Sequence, residues 1–476
     1  MRRIPALIVG GLATLAVPLL YAPWLLVPHI RYDDFAFLTR SRTWADTLAH
    51  LWVPMNEHLM PLARLDAGLL MWIVTPQSRI PLAAQIHGVL AVIIGMWLLY
   101  WFVRRELGHP FYGLLAMIAW GVTTTYYETV TWYSASFFTL GLDVTLVALL
   151  AAQEFERSRR RSALVLCAAC CALAPAFHST ALLAGAWCAL YLALSSGPGD
   201  GSPSLLKRSI AMAPLAGTVV FVVIAALTAS DQIVSAEHYR GKTLFGAFDF
   251  GEGVKNTLRT LADNQVPGII GVWDRHSTFS WPAVWAIVAS AAAFAVVWWR
   301  VAPRRLLLIL GLTIILSSDL IVYGARADWS YDRSVHNWSR YHLFAHLGIV
   351  LFVMGGLVRF EGTWFRLEPN GCLTVRQASA LILLIVGLFA CHWPRSRGST
   401  VVPPPEQMDV LRRVERIDKT CVAARIDAHT ARQALGFLQF PLGFEGDNAW
   451  DFLRGSPAPV PTRTEDAARM LRAVDR

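Results

Sequence analysis

Charge is what this 476-residue chain lacks most. Only 16% of its residues are charged, against about 25% in a soluble domain. That shortfall excludes an ordinary soluble protein. Together with repeated apolar runs of about twenty residues, it points to a chain that crosses a bilayer many times. The seven cysteines show no metal-site spacing. Cys167, Cys170, Cys171 and Cys188 fall inside apolar runs, where a thiol packs as a small hydrophobe; Cys391 and Cys421 are the two placed to pair on one outer side. Internal repeats are absent, which weighs against a transporter built from them. Met1-Arg2-Arg3 ahead of an apolar run opens like a signal peptide, but no small-residue cleavage site follows, so the run reads as an uncleaved first membrane helix. A net charge of +9 would suggest nucleic acid in a soluble protein. Here the arginines sit in short loops between apolar runs, which is a topology signal, and no nucleic-acid partner is expected.

What is present is apolar surface and tryptophan. Mean hydropathy is +0.45 and nineteen tryptophans suit residues that collect at membrane interfaces. The expected fold is an all-α polytopic membrane protein with about eleven transmembrane helices. Its membrane domain covers residues 1–393 and a short polar, Arg-rich outer region covers 394–476. Three long loops interrupt the spans, at 24–80, 230–280 and 324–342. Within the first, residues 59–74 are apolar but broken by Arg64 and Asp66, as in an amphipathic helix lying on the membrane or against the bundle.

Orientation follows from arginine. With the N-terminus in the cytoplasm, the clusters Arg104-Arg105, Arg157 with Arg159, Arg160 and Arg161, Lys207-Arg208, Arg300 with Arg304 and Arg305, and Arg359 with Arg366 and Arg376 all fall inside, as the positive-inside rule requires. The segments holding Asp33, Glu128, His178, Arg275 and Arg340 then share the non-cytoplasmic face. That face has no ATP. Chemistry there needs a substrate activated beforehand, and a lipid-linked donor is the natural one.

The adjacent acids Asp33 and Asp34, in Tyr32-Asp33-Asp34-Phe35, cannot point the same way from a helix or a strand. One of them facing a cavity would serve as a general base for a hydroxyl; a solvated pair or a helix N-cap satisfies the same spacing. Asn56-Glu57-His58 suits a sugar, a metal or the loop itself. A divalent ion (Mg, Mn or Zn) on Asp34 and His58, with Glu128 or His178 nearby, is one expectation, and hydrogen-bonded structural groups are the other. Glu128 lies among aromatics, an arrangement that suits sugar stacking and equally an interfacial belt. His178 occupies the tip of a helical pair, where a capping role is the alternative. Arg340-Tyr341-His342 opens an outer helix end, where Arg340 would clamp a lipid phosphate or snorkel to headgroups; Asp274-Arg275-His276 is a second candidate for that clamp. Asp143 and Asp319 lie inside apolar runs, where ionisable residues are costly and tend to be functional. They carry the alternative of a transporter or flippase for a lipid-linked glycan. A structural envelope scaffold is the third possibility.

The paired acids of the first outer loop, the amphipathic stretch after them and the inside N-terminus resemble the GT-C superfamily of membrane glycosyltransferases. The likeness is strongest to the bacterial members related to protein O-mannosyltransferases and the lipid A aminoarabinose transferase. It rests on Tyr32-Asp33-Asp34-Phe35 followed by Asn56-Glu57-His58 and Pro61, within roughly the first 190 residues, and beyond them on topology and Arg340-Tyr341. The resemblance implies inverting transfer of a sugar from a polyprenyl-phosphate-linked donor to a cell-envelope glycan, lipid or protein acceptor, at the outer face of a bacterial inner membrane. It assigns the base to Asp33 or Asp34, with Asp33 favoured. It assigns stabilisation of the leaving phosphate to Arg340, helped by Arg275, and secondary polar roles to Glu128 and His178.

Overall fold

The structure, a computed structural model, describes residues 3–26, 34, 37–38, 40–55, 58–74, 79–125, 127–195, 209–234, 249–261, 305–325, 339–357 and 372–398. Among these the fold is all-α apart from one two-stranded ladder. Four helices are long and apolar enough to cross a membrane, and several shorter apolar helices pack with them.

The chain begins with strand β1 (Arg3–Pro5) and helices α1 (Ala6–Leu20) and α2 (Ala22–Leu25). Two short helices of the first loop follow, α3 (Trp44–Ala49) and α4 (Pro61–Ile73). Helix α3 starts in a capping box between Thr43 and Asp46. Helix α4 is the amphipathic stretch read from the sequence. It buries Ala63, Arg64, Ala67 and Met71 and leaves Leu69, Trp72 and Ile73 outside. An apolar outer face of that kind suits lipid.

The central hairpin is α5 (Ile80–Leu107), α6 (Pro110–Gly121), the short α7 (Glu128–Thr131) and α8 (Tyr133–Ser158). Helix α5 ends where physics expects. Arg104 and Arg105 occupy its last turn, favourable against the helix dipole, and Gly108 takes the left-handed conformation at φ 73° that closes the helix. His109 then accepts the Phe111 N–H at 3.1 Å through Nδ1 and caps α6. Gly88 lets α7 rest on α5, since a Cβ there would lie 2.7 Å from the Thr129 carbonyl oxygen.

Next come α9 (Arg161–Phe177), a 3₁₀ turn (Ser179–Leu183), α10 (Ala184–Ser195) and α11 (Ala213–Val234). Helix α12 (Phe250–Thr260) is capped by Asp249, whose side chain accepts from the Glu252 N–H. Helices α13 (Arg305–Ala325) and α14 (Leu343–Leu357) approach to backbone contact, with Gly311 and Gly348 opposed; small residues permit that closeness in membranes. Strand β2 (Cys372–Thr374) leads into α15 (Val375–Gly398) and pairs antiparallel with β1, Arg3 opposite Thr374. The starts of α1 and α15 are thereby tied together.

The expected helix at 281–299, the outer region 394–476 beyond α15, and Cys421 with its proposed pairing to Cys391 lie outside the described residues.

Candidate functional site

The helices alternate in direction, so their polar ends sort into two groups. One end holds Arg104, Arg105, Glu154 and Arg157, where Arg157 donates to the Arg105 carbonyl and Arg105 meets Glu154 at 3.7 Å. Glu106 lies there too, buried, accepting from Gln153 and from the Tyr191 hydroxyl. The other end gathers the starts of α4, α5 and α8, the end of α9 and the turn before α14.

Most of the expected site residues that are described lie at this second end. Asp34 is fully buried. Its carboxylate accepts the backbone N–H of Ser134 at 2.7 Å and of Tyr133 at 3.3 Å, the first two residues of α8. An acid on the free amides of a helix start is favoured by hydrogen bonding and by the dipole together. Asp34 therefore anchors the loop to α8, which is the capping alternative read from the sequence.

Glu128 and Arg340 form a buried ion pair at 3.3 Å, and the same Glu128 oxygen also accepts the Arg340 backbone N–H. The guanidinium lies over the Trp132 ring at 4.3 Å. Tyr341 is buried and meets Phe138 edge-on. His178 stacks on Phe138 with ring centres 3.5 Å apart and caps the 3₁₀ turn by accepting the Thr180 N–H. His58 lies 4.5 Å from His178, ring to ring, and its Nδ1 contacts the Ser179 hydroxyl at 2.7 Å. The fold thus brings together Asp34, His58, Glu128, His178, Arg340 and Tyr341 from segments that are far apart in the chain. Asp33, Asn56, Glu57 and Arg275 lie outside the described residues.

The residues that sequence reasoning passed over are Asp66, His87, Tyr133 and Ser136. The His87 Nε2 is 3.2 Å from Asp66 Oδ2, and both side chains are about one-fifth exposed, at 22% and 20%. The Tyr133 hydroxyl donates to the same Asp66 oxygen at 2.8 Å. On the other side of the ring, Nδ1 lies 3.2 Å from the Ser136 hydroxyl, which is itself 2.6 Å from the Tyr133 carbonyl. The His87 ring is thus held at both nitrogens, by Asp66 at Nε2 and by Ser136 at Nδ1. Ser136 is fully buried, so it orients the ring rather than attacking a substrate. The available signal was an ionisable residue inside an apolar run, His87, together with an acid interrupting another, Asp66.

Arg64, on α4, is also buried here. It packs over the Phe37 ring at 4.2 Å, reaches the Phe37 carbonyl at 3.5 Å, and has no acidic partner among the described residues. Burial, with Arg40 nearby, lowers its pKa to about 10, so it remains charged at neutral pH.

Asp34 is engaged with helix amides and His58 with Ser179. Among the described residues, neither belongs to a group of three ligating side chains; the group of that kind is Cys167, Cys171 and Cys188. The described residues therefore do not fit a divalent ion on Asp34 and His58. Two of these thiols come from one face of α9 and the third from α10, a closeness that linear spacing does not show.

No protein-family model matches the chain, and comparison with curated proteins gives no match.

Proposed function

We propose that the chain is a polytopic membrane glycosyltransferase of the GT-C kind, with about eleven spans, its N-terminus cytoplasmic and its active end at the outer face of a bacterial inner membrane. It takes a sugar from a polyprenyl-phosphate-linked donor and passes it to an envelope glycan, lipid or protein acceptor. The observation that carries this reading is the partly exposed Asp66–His87 pair, set at the end of an apolar bundle where the first-loop acid, the buried arginines and the aromatic side chains converge. General-base work needs a carboxylate or imidazole that is both held and reachable, and this pair is both.

In this reading an acceptor hydroxyl loses its proton to the Asp66–His87 pair, or to Asp33 beside the anchored Asp34. The acceptor oxygen attacks the anomeric carbon, and the lipid phosphate leaves as an anion. Arg64 and Arg340 supply positive potential at that end; Arg340 is already neutralised by Glu128, which makes Arg64 the stronger electrostatic contributor.

A transporter of the same lipid-linked glycan is the second reading, favoured by one feature. Asp143 is buried within α8, and among the described residues neither of its oxygens has a hydrogen-bond partner. A photoactivatable polyprenyl phosphate crosslinked to the full-length protein in liposomes separates the two. Labelling of α4 and the turn before α14, with turnover lost in Asp66→Asn and in His87→Ala but donor labelling kept, supports the transferase. Labelling along α8 and α13 near Asp143 and Asp319, with both outer variants active, overturns it.

A further inference from the structure

Away from that end, three thiols meet within the helix bundle. Cys167 and Cys171 are four residues apart on α9, a spacing that puts them on one face, and Cys188 faces them from α10. Their sulfur atoms all lie within 4.8 Å of one another, and all three side chains have zero exposure. Neighbouring Cys170 is not part of the group, and no carboxylate or imidazole joins it among the described residues.

We propose that Cys167, Cys171 and Cys188 form a binding site for one monovalent soft cation, of which Cu(I) is the physiological representative. Donor chemistry selects the ion class. Sulfur-only sites favour Cu(I), zinc and iron–sulfur clusters, whereas oxygen-seeking ions such as Mg and Ca are disfavoured. Ligand number then separates zinc from Cu(I): structural zinc closes a tetrahedron with four ligands, and the described residues bring three. On binding, each coordinating thiol gives up its proton: every S–H bond that breaks is matched by a metal–sulfur bond that forms and a proton that leaves, and no electrons move. The site joins α9 to α10, so an occupied site clamps the helix pair that carries His178 and Ser179 at its tip. It is independent of the proposed transferase activity.

The test uses the full-length protein, purified in detergent under anaerobic reducing conditions and titrated with Cu(I) in competition with a chromogenic Cu(I) chelator. One ion per chain is expected, with an X-ray absorption spectrum showing a sulfur-only shell of three scatterers. Cys167→Ser, Cys171→Ser and Cys188→Ser should each weaken retention by more than about 100-fold, the upper range for loss of even an outer partner of a metal site, while Cys170→Ser should leave it unchanged. A variant that elutes aggregated is replaced by the corresponding Ala variant, and Ag(I)-induced ultraviolet absorption of wild type against the triple Ala variant gives a second readout. Three results overturn the site: no Cu(I) held by folded wild type, equal loss in Cys170→Ser, or a Cys188 disulfide to Cys167 or Cys171 in freshly isolated membranes.

Discussion

Two ion pairs, one at each end of the bundle, are held in opposite ways. At the arginine end, Arg105 and Glu154 are roughly 40% exposed and meet at 3.7 Å. At the other end, Glu128 and Arg340 are 8% and 7% exposed and share two contacts. Exposed pairs are screened and contribute little. A buried pair is a different object, because neither partner can return to water when the other is removed. The Arg105–Glu154 pair is charge placed where it is cheap. The Glu128–Arg340 pair is charge kept where it is expensive, and such expense is ordinarily found where groups are held for chemistry.

That contrast is breakable. The largest effect is expected from Glu128→Leu, which leaves Arg340 buried without its acid. Thermal unfolding in detergent should show a loss of about 3–5 kcal/mol, recovered in large part by adding Arg340→Met. Glu154→Ala, at the other end, should stay within about 1 kcal/mol; equal losses at both ends would erase the distinction. Next is Gly88→Ala, where the new Cβ meets the Thr129 carbonyl. Overpacking there should destabilise by about 1–3 kcal/mol and shift α7, read as an altered Trp132 fluorescence. Asp34→Ala should follow, at about 0.5–2 kcal/mol for a lost helix-start acceptor, with faster amide exchange at Tyr133 and Ser134 and little change elsewhere.

The smallest effect concerns pH and belongs to the arginine end. His109 is buried, and burial, followed by Arg104 nearby, lowers its pKa from the ordinary histidine value. The native state thus prefers the neutral ring, whose Nδ1 accepts the Phe111 N–H. Its contribution is fully present above about pH 6.5, the unfolded value, and is lost as pH falls through the lower native value. Stability measured from pH 7 downward should fall more steeply in wild type than in His109→Asn, which keeps a capping acceptor without the titration.

Much of this fold is legible in the chain. Apolar runs locate α1, α5, α8, α13 and α15, because lipid imposes length and composition directly. The amphipathic α4 is legible for the same reason, with Arg64 and Asp66 interrupting its apolar run. The candidate site is less so. Asp34, His58, Glu128, His178 and Arg340 could be named as polar groups sharing a face, since topology alone assigns faces. Their pairings could not: nothing local to Glu128 indicates Arg340, 212 residues away. Asp66 and His87 were missed because each looked like an interruption in an apolar run, and only the crossing of α4 and α5 makes them neighbours. The cysteines show the same limit. A four-residue spacing on α9 is visible in the sequence, but the third sulfur comes from another helix.

The ladder of β1 and β2 carries a consequence in time. Arg3 pairs with Thr374, so the second strand reaches its partner only after some 370 further residues have been synthesised. At about 5–20 residues per second that is a wait of roughly 20–75 s. Throughout it the backbone of β1 is without its β2 partner. Closing that ladder is a late assembly event, joining the first-made helix to one of the last.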